Sequence, residues 1–195
     1  MSSVFGLGNP GPRYSRTRHN VGFRVIERLA ERWRARRRDD TPEYRWWEAE
    51  RNGREVALVQ PLTFMNASGM AVAEFRDRHG LEPQELLVVA DDVYLPLGTV
   101  RVRARGSNGG HRGLESIEAT LGTLEYPRLR IGVGAAESAE ALREHVLEGF
   151  TPEEESEVEA SLGRAAEIVE CWADEGVLAA MNRFNRRVGK EVPEP

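Results

Sequence analysis

Hydrophobic positions along this chain follow two periods, one typical of strands and one typical of helices. Short apolar runs predict strands, and the run at 86–90 is apolar throughout, as in a strand that is covered on both faces. Another segment alternates Val100, Val102 and Ala104 with arginines, which predicts one apolar face and one guanidinium face. The predicted strands are residues 4–8, 44–51, 54–59, 86–90, 100–105 and 129–133. A tight turn at Asn52-Gly53 joins the second and third strands, and their pairing is predicted to end at Pro61.

Helical spacing of apolar residues appears between these strands. An amphipathic helix is predicted from Val21 to about Arg37, and a second over residues 67–78, closed by Gly80. The other predicted helices span 113–121 and most of 139–184, with interruptions at 149–152 and near Gly176. Strands mixed with helices favour an α/β fold. We expect one domain over residues 1–190, with a mixed, partly parallel sheet sandwiched between helices, and a short frayed tail at 191–195.

Composition limits the class of protein. The chain has 195 residues, of which 40% are hydrophobic and 30% charged, and no apolar run approaches the roughly 20 residues of a membrane span. One cysteine, Cys171, excludes an internal disulfide, and no signal peptide is evident, so we expect a soluble cytoplasmic protein. The net charge of −5 disfavours a nucleic-acid partner, but the 27 basic residues are unevenly placed, and binding depends on the local patch.

Residues 6–11 read Gly-Leu-Gly-Asn-Pro-Gly, close to the glycine pattern of dinucleotide-binding loops. Such loops open a helix whose free N–H groups hold a pyrophosphate. Pro10 and Pro12 supply no N–H and bias the residues before them away from helical geometry. This glycine pattern is therefore the only feature of the sequence that supports a nicotinamide-dependent oxidoreductase. We expect a loop that presents the side chains of Asn9, Tyr14 and His19.

The histidines differ in sequence context. His19 ends the proline-shaped loop outside any apolar stripe, and Asp91 ends a buried strand, where a carboxylate needs a partner. An Asp91–His19 pair would make a general base, whereas the alternative is that Asp91 caps a turn. His111 lies in a glycine-rich loop for which a structural turn is favoured over a functional role. His79 and His145 lie among charged helical residues, which indicates a solvated face.

Two asparagines complete the candidate chemistry. Asn9 and Asn66 lie in segments predicted to be irregular, although Asn66 could also be the N-cap of the helix that follows it. No serine or cysteine stands in a nucleophile elbow, and no two histidines have metal-ligand spacing. The chemistry that remains is water activated by a base, with amide donors for the developing oxyanion.

Several segments join these residues into longer motifs. They are 4–11 with Tyr14, 17–23 (Thr-Arg-His-Asn-Val-Gly-Phe), 61–69 (Pro-Leu-Thr-Phe-Met-Asn-Ala-Ser-Gly), 91–92 with 95–98, 106–107 with 109–111 and 113–114, and 128–134. In order and spacing these motifs resemble those of bacterial peptidyl-tRNA hydrolases, to about Asn185. The resemblance implies an esterase of translation and ribosome rescue that cuts peptide from tRNA, as a monomer, with neither metal nor cofactor.

The resemblance also implies roles for individual residues. His19 would be the general base, Asp91 would stabilise its basic form, and Asn9 would distinguish N-blocked from free aminoacyl-tRNA. Tyr14, Phe64, Met65 and Asn66 would line the substrate cleft.

Arginines would bind the tRNA. Phosphates of the acceptor stem would lie on Arg101, Arg103, Arg105 and Arg130, with Arg128 nearby, unless this face is merely solvated. Arg32, Arg34 and Arg36 to Arg38 form a second basic run, interpreted as solvated because Asp39 and Asp40 follow.

Two residues depart from the family pattern. Arg112 stands where the family has Asn, so a cation replaces an amide beside the substrate, and Tyr94 stands where an acidic residue is common. Arg112 could contact a phosphate or fold away from the cleft. Arg112 and the arginine face of the strand at 100–105 keep open a non-catalytic RNA-binding relative, similar to splicing factors built on the same fold. We expect neither DNA nor a membrane as a partner.

Overall fold

The structure is a computed structural model that describes residues 1–135 and 139–185. Within these ranges, seven strands form one sheet in the order β2-β3-β4-β1-β5-β7-β6. The strands are β1 (Ser2–Gly6), β2 (Arg36–Arg37), β3 (Tyr44–Arg51), β4 (Arg54–Pro61), β5 (Leu86–Asp92), β6 (Val100–Arg103) and β7 (Arg128–Gly132). The helices are α1 (Val21–Arg32), α2 (Ser68–His79), α3 (Arg112–Leu121), α4 (Ala139–His145), α5 (Pro152–Glu175) and α6 (Val177–Phe184).

The sheet is mixed, which confirms the predicted class. Strands β4, β1, β5 and β7 run parallel in the middle, while β2, β3 and β6 pair antiparallel toward the two edges. Helices cover both faces of the sheet. Since neighbouring residues of a strand point to opposite faces, they contribute to different layers of the core. Val4 belongs to a core cluster that includes residues of α1, α5 and α6, whereas Phe5 belongs to a second cluster that includes residues of α2 and α3. None of the described helices has both the length and the apolar composition that a bilayer crossing requires.

Glycines at the end of β1 allow α1 to approach the sheet closely. A Cβ on Gly6 would lie 2.2 Å from the carbonyl oxygen of Gly22, and a Cβ on Gly22 would lie 2.4 Å from the backbone nitrogen of Leu7. The glycines at the end of this strand therefore serve backbone packing, and this packing brings the start of α1 beside the carboxyl ends of β1 and β5.

Several predicted boundaries were wrong. The first helix ends at Arg32 instead of near Arg37, because Arg34 adopts a left-handed backbone with φ of 51°, after which Arg36–Arg37 pairs with β3. Strand β4 continues two residues past the predicted end at Val59, to Pro61, whose pair with Tyr44 is the last of the β3–β4 ladder, as predicted. Strand β5 continues through Asp91 and Asp92, which pair with β7.

The other predicted elements are present. Both turn residues, Asn52 and Gly53, have positive φ, as a tight two-residue hairpin turn requires, and Gly80 ends α2 in a left-handed conformation. The helical region after residue 139 is interrupted between His145 and Pro152 and again at Gly176. The predicted frayed tail at 191–195 lies outside the described residues.

Candidate functional site

A cleft of about 560 Å³ opens beside the carboxyl ends of β1 and β5. Three segments bound it: the loop after β1, the loop before α2 and the glycine-rich loop before α3. The region of α4 and residues 146–147 closes the fourth side. The lining residues used below are Asn9, Tyr14, His19, Phe64, Met65, Asn66, Asp91, Tyr94, His111, Arg112, Arg130 and Arg143.

His19 and Asp91 form the pair that the sequence predicted. The Nδ1 atom of His19 lies 2.7 Å from Oδ1 of Asp91, and the Asp91 side chain is only 2% exposed. The backbone N–H of His19 donates to the carbonyl of Val146 at 2.8 Å, which fixes the short helical turn Arg18–Asn20 that carries the ring. Since Asp91 accepts from Nδ1, the proton lies there, and Nε2 keeps its lone pair. Nε2 has no hydrogen-bond partner among the described residues.

The environment of this pair shifts the pKa values of both His19 and Asp91. Burial acts to lower the pKa of His19, but the charge and the hydrogen bond of Asp91 outweigh burial and raise the pKa above its ordinary value of 6.5. Burial acts to raise the pKa of Asp91, yet the imidazoles beside it hold that pKa well below 3.8. Asp91 is therefore a fixed carboxylate that stabilises the protonated form of His19, so the turn-cap alternative for Asp91 was wrong.

His111 is a second imidazole at the same carboxylate, which sequence reasoning missed. Its Nε2 lies 2.9 Å from Oδ1 of Asp91, and its ring centroid lies 5.0 Å from that of His19. Its Nδ1 accepts from the backbone N–H groups of Gly113 and Leu114, so His111 is the N-cap of α3. Its place two residues before the predicted helix at 113–121 was a signal for the capping role, whereas the contact with Asp91 depends on tertiary packing.

The ligand atoms of His19, Asp91 and His111 all lie within 4.8 Å of one another, which raises the question of a metal. A neutral His111 that bound a metal through Nε2 would carry its proton on Nδ1. Two backbone N–H groups already point at Nδ1. The three residues therefore fit a hydrogen-bonded triad better than they fit a metal site.

Asn9 is held by three hydrogen bonds at the edge of the cleft. Its backbone N–H donates to Oδ1 of Asn20, and its backbone carbonyl accepts from Nδ2 of Asn20, both at 2.9 Å. Its side-chain Oδ1 accepts from the N–H of Met65 at 2.9 Å. This arrangement assigns Nδ2 of Asn9 as the donor left for the cleft. Asn20, which the sequence did not single out, is the residue that fixes this geometry.

The loop before α2 forms a wall of the cleft. Phe64 is 59% exposed, Met65 is buried, and Asn66 is exposed. The alternative of Asn66 as an N-cap was wrong, because Ala67 occupies that position and no side chain caps the helix. Tyr14 and Arg112 also border the cleft, and the exposed guanidinium of Arg112 has no hydrogen-bond or ion-pair partner among the described residues.

The predicted arginine patch is divided by the structure. Arg101 and Arg103 lie on exposed positions of β6 without partners among the described residues, whereas Arg105 lies past the strand and pairs with Glu125. Arg130 borders the cleft and donates to Asp92 at 3.0 Å. Arg128 does not join this patch. Its side chain is 1% exposed and pairs with Glu118 below the glycine-rich loop, so the expectation for Arg128 was wrong.

The remaining histidines are not on solvated faces. The ring of His79 packs 4.2 Å from that of Phe75 and 5.3 Å from that of Trp46. The Nε2 atom of His145 lies 3.1 Å from the carbonyl oxygen of Gly134, and the side chain is half-buried. The solvated interpretation was therefore wrong for both residues.

Comparisons with known proteins show the family of the chain. The family model described as peptidyl-tRNA hydrolase matches residues 3–192. The chain is 49% identical over 186 residues to a peptidyl-tRNA hydrolase of Chloroflexus aggregans, covering 95% of this chain and 99% of that protein. A protein of the same name from Roseiflexus castenholzii is 44% identical over 203 residues, covering 100% of this chain and 95% of that protein. A crystal structure of peptidyl-tRNA hydrolase from Acinetobacter baumannii superposes with a TM-score of 0.90 at 33% identity, covering 95% of this chain and 94% of the other.

Proposed function

Because the chain belongs to the peptidyl-tRNA hydrolase family and is a peptidyl-tRNA hydrolase, we propose that His19 is the general base of the reaction. The observation that supports this role is the 2.7 Å contact between Nδ1 of His19 and the buried Asp91, with the opposite ring nitrogen beside the cleft and unpartnered within the described part of the chain. The alternative of a non-catalytic RNA-binding relative is not supported by the comparisons, since the relatives are named hydrolases.

The reaction divides into two proton transfers. Nε2 of His19 removes a proton from a water molecule, whose oxygen attacks the ester carbonyl that joins peptide to tRNA. The imidazolium then gives this proton to the ribose oxygen as the ester bond breaks. Asp91 holds the ring in the tautomer that leaves Nε2 unprotonated and stabilises the imidazolium between the two steps.

Amides border the place where negative charge develops. Nδ2 of Asn9 is free to donate because Oδ1 is occupied by the N–H of Met65. Asn66, exposed at the cleft, is a second amide. A fixed donor aimed at an oxyanion contributes about 10²–10³ in rate. Asn9 also distinguishes an N-blocked aminoacyl group from a free one, because Nδ2 can donate to the acyl oxygen of the blocked group, whereas a charged ammonium offers no acceptor.

The two parts of the substrate lie on different surfaces. The peptide follows the cleft wall of Tyr14, Phe64 and Met65, while phosphates of the acceptor stem lie against Arg101, Arg103 and Arg130. Arg105 contributes less because Glu125 neutralises it. Phosphate contacts position a nucleic acid without reading its sequence, which suits an enzyme that acts on many tRNAs. Arg112, which has no partner in residues 1–135 and 139–185, provides a further contact for an anionic group of the substrate at the edge of the cleft.

The working unit in this proposal is one copy of the chain. A single domain over residues 1–190 acts as a monomer in the cytoplasm, where it releases tRNA from stalled peptides during translation. The proposed site residues border one cleft, lie on the adjoining strand β6 or, in the case of Arg105, follow that strand, so a single chain supplies all of them.

The test is hydrolysis of an N-acetylated aminoacyl-tRNA, measured as release of the N-acetylated amino acid. We expect the natural chain to cleave it and His19→Ala to lose about 10²–10⁴ in kcat, the contribution of a positioned base. His79→Gln is the matched control, because it replaces a histidine that does not line the cleft. Full activity in His19→Ala would refute the proposed base.

A further inference from the structure

The second imidazole at Asp91 has no task in the mechanism above. His111 and His19 both reach the same oxygen, Oδ1, at 2.9 and 2.7 Å. Both rings are largely buried, with side-chain exposures of 7% and 12%. A carboxylate oxygen that is shared by two donors binds each of them less strongly than an oxygen that serves one.

The contacts of His111 fix the position of its proton. The N–H groups of Gly113 and Leu114 point at Nδ1 from 3.1 and 3.2 Å. Two N–H groups can converge only on a nitrogen that has a lone pair, so Nδ1 is unprotonated and the ring proton is on Nε2. His111 therefore donates to Asp91 as a neutral ring, and the fixed start of α3 holds that ring in place.

We propose that His111 is a positioning residue that orients the Asp91 carboxylate and, as a neutral donor, limits how strongly this carboxylate holds a proton on His19. The inference rests on the proposed role of His19 as the base. A carboxylate with His19 as its only donor would stabilise the imidazolium more, so the ring would release its proton less readily to the leaving ribose oxygen. His111 thus adjusts the basicity of His19 without contacting it through a hydrogen bond.

Other charged groups near the two rings do not replace this contact. Arg112 and Arg143 border the cleft. Arg130 on β7 is paired with Asp92 on the neighbouring strand β5. Among the described residues, the hydrogen bonds to the Asp91 side chain come only from His19 and His111. A substitution at His111 therefore changes the donors of this carboxylate while the neighbouring charges stay in place.

The variant that separates the two roles of His111 is His111→Asn. Asparagine is a favoured N-cap and keeps the start of α3, but its shorter side chain, turned toward the helix, cannot also donate to Asp91. We expect the acid limb of kcat/KM to move to higher pH by about 0.5–1 unit, the size of effect expected when a carboxylate loses one of two donors. Ser107→Ala, in the same loop, is the matched control and should leave the profile unchanged.

Histidine ¹⁵N NMR of the full chain provides a readout that does not depend on catalysis. We expect the Nε2-protonated tautomer for His111, the Nδ1-protonated tautomer for neutral His19, and a titration of His19 that moves to higher pH in His111→Asn. A proton on Nδ1 of His111, or an unchanged His19 titration, would overturn the inference. Should His19→Ala stay active, the proposed base fails, while the NMR result still decides whether His111 adjusts His19. The tautomers are measured in the natural protein, so a variant that fails to fold does not remove the test.

Discussion

At the scale of single residues, the proposed chemistry depends on one buried oxygen atom. Oδ1 of Asp91 accepts from two rings, and the carboxylate lies at the end of a fully buried strand. Sequence reasoning gave its pairing with His19 as one of two alternatives, because a carboxylate at the end of an apolar strand requires a partner, and the family resemblance implied this pairing. It could not predict the contact with His111, because that contact exists only where the N-terminus of α3 meets β5.

Asp91→Asn isolates the contribution of the charge. The amide keeps the size of the side chain but loses the carboxylate that raises the pKa of His19, so the acid limb of kcat/KM should move to lower pH. An amide can also present an N–H to Nδ1, which favours the wrong tautomer, and kcat should fall by roughly 10²–10⁴. Steady-state kinetics between pH 5 and 9 measure both effects. An acid limb that moved upward would contradict the assignment.

The natural protein should itself show a characteristic pH profile. Only neutral His19 can accept a proton from water, so activity should fall as pH decreases through the pKa of this ring. Since Asp91 raises that pKa above 6.5, kcat/KM should already have fallen to half of its maximum at a pH above 6.5 as the pH is lowered. Measuring kcat/KM at constant ionic strength tests this expectation. Activity that stayed constant well below pH 6.5 would exclude His19 as the base.

At the scale of elements, strand β6 is the part of the proposed tRNA surface that can be changed without touching the cleft. Replacing Arg101 and Arg103 together by Gln removes two phosphate contacts. KM for the tRNA substrate should rise with kcat little changed. The slope of the logarithm of the binding constant against the logarithm of salt concentration should decrease in magnitude by about two, because each phosphate contact contributes nearly one to this slope.

A matched charge change on the same sheet gives the control for this experiment. Arg54→Gln replaces an exposed arginine at the amino end of β4, whereas the cleft lies at the carboxyl ends of the strands. This variant should leave KM and its salt dependence unchanged. An equal rise of KM in both proteins would mean that overall charge, and not the face of β6, attracts the tRNA.

The contact of β1 with α1 makes a second prediction at this scale. Gly22→Ala places a Cβ 2.4–2.7 Å from backbone atoms of Leu7 and Val89, which cannot move aside without distorting the sheet. We expect a loss of about 1–3 kcal/mol in the free energy of unfolding, the usual cost of overpacking. Gly163→Ala, in the middle of α5, meets nothing closer than 3.7 Å and should stabilise by roughly 0.5–1 kcal/mol. Urea unfolding of the two variants measures this contrast.

Element prediction from sequence was accurate where one periodicity dominated. Strands β3 and β4 and helices α2 and α5 follow from apolar spacing and turn residues. The short strand β2 could not be predicted, because its two exposed arginines have no pattern of their own and pair only after Arg34 turns the chain. Arg128 was misplaced for a related reason. Sequence alone does not show that Glu118 and the ring of Tyr126 cover a guanidinium at the start of β7.

At the scale of the whole molecule, a partly buried ion pair connects the proposed catalytic loop, which carries His19, to the helical layer. Arg18, directly before His19, donates to both oxygens of Glu154 in the first turn of α5 and to the carbonyl of Val133 after β7. Its guanidinium also lies 4.6 Å from the ring of Phe150. The position of the base therefore depends on segments that lie more than a hundred residues away in sequence, which no local pattern reveals.

Glu154→Gln tests this connection through stability and its pH dependence. The hydrogen bond from Arg18 lowers the pKa of Glu154, so the carboxylate stabilises the folded state above the ordinary pKa of 4.5, and this contribution is lost as pH falls through the lowered value. At neutral pH the variant should lose about 1.5–3 kcal/mol in the free energy of unfolding, the range for hydrogen bonds to charged groups. Glutamine can still serve the capping box with Thr151, so the start of α5 is retained. Urea unfolding of both proteins from pH 7 to pH 3 should show the difference shrinking toward acid pH, because the natural glutamate also becomes neutral there. A difference that stayed constant with pH would show that Arg18 is held by its other contacts and that the charge of Glu154 does not anchor the catalytic loop.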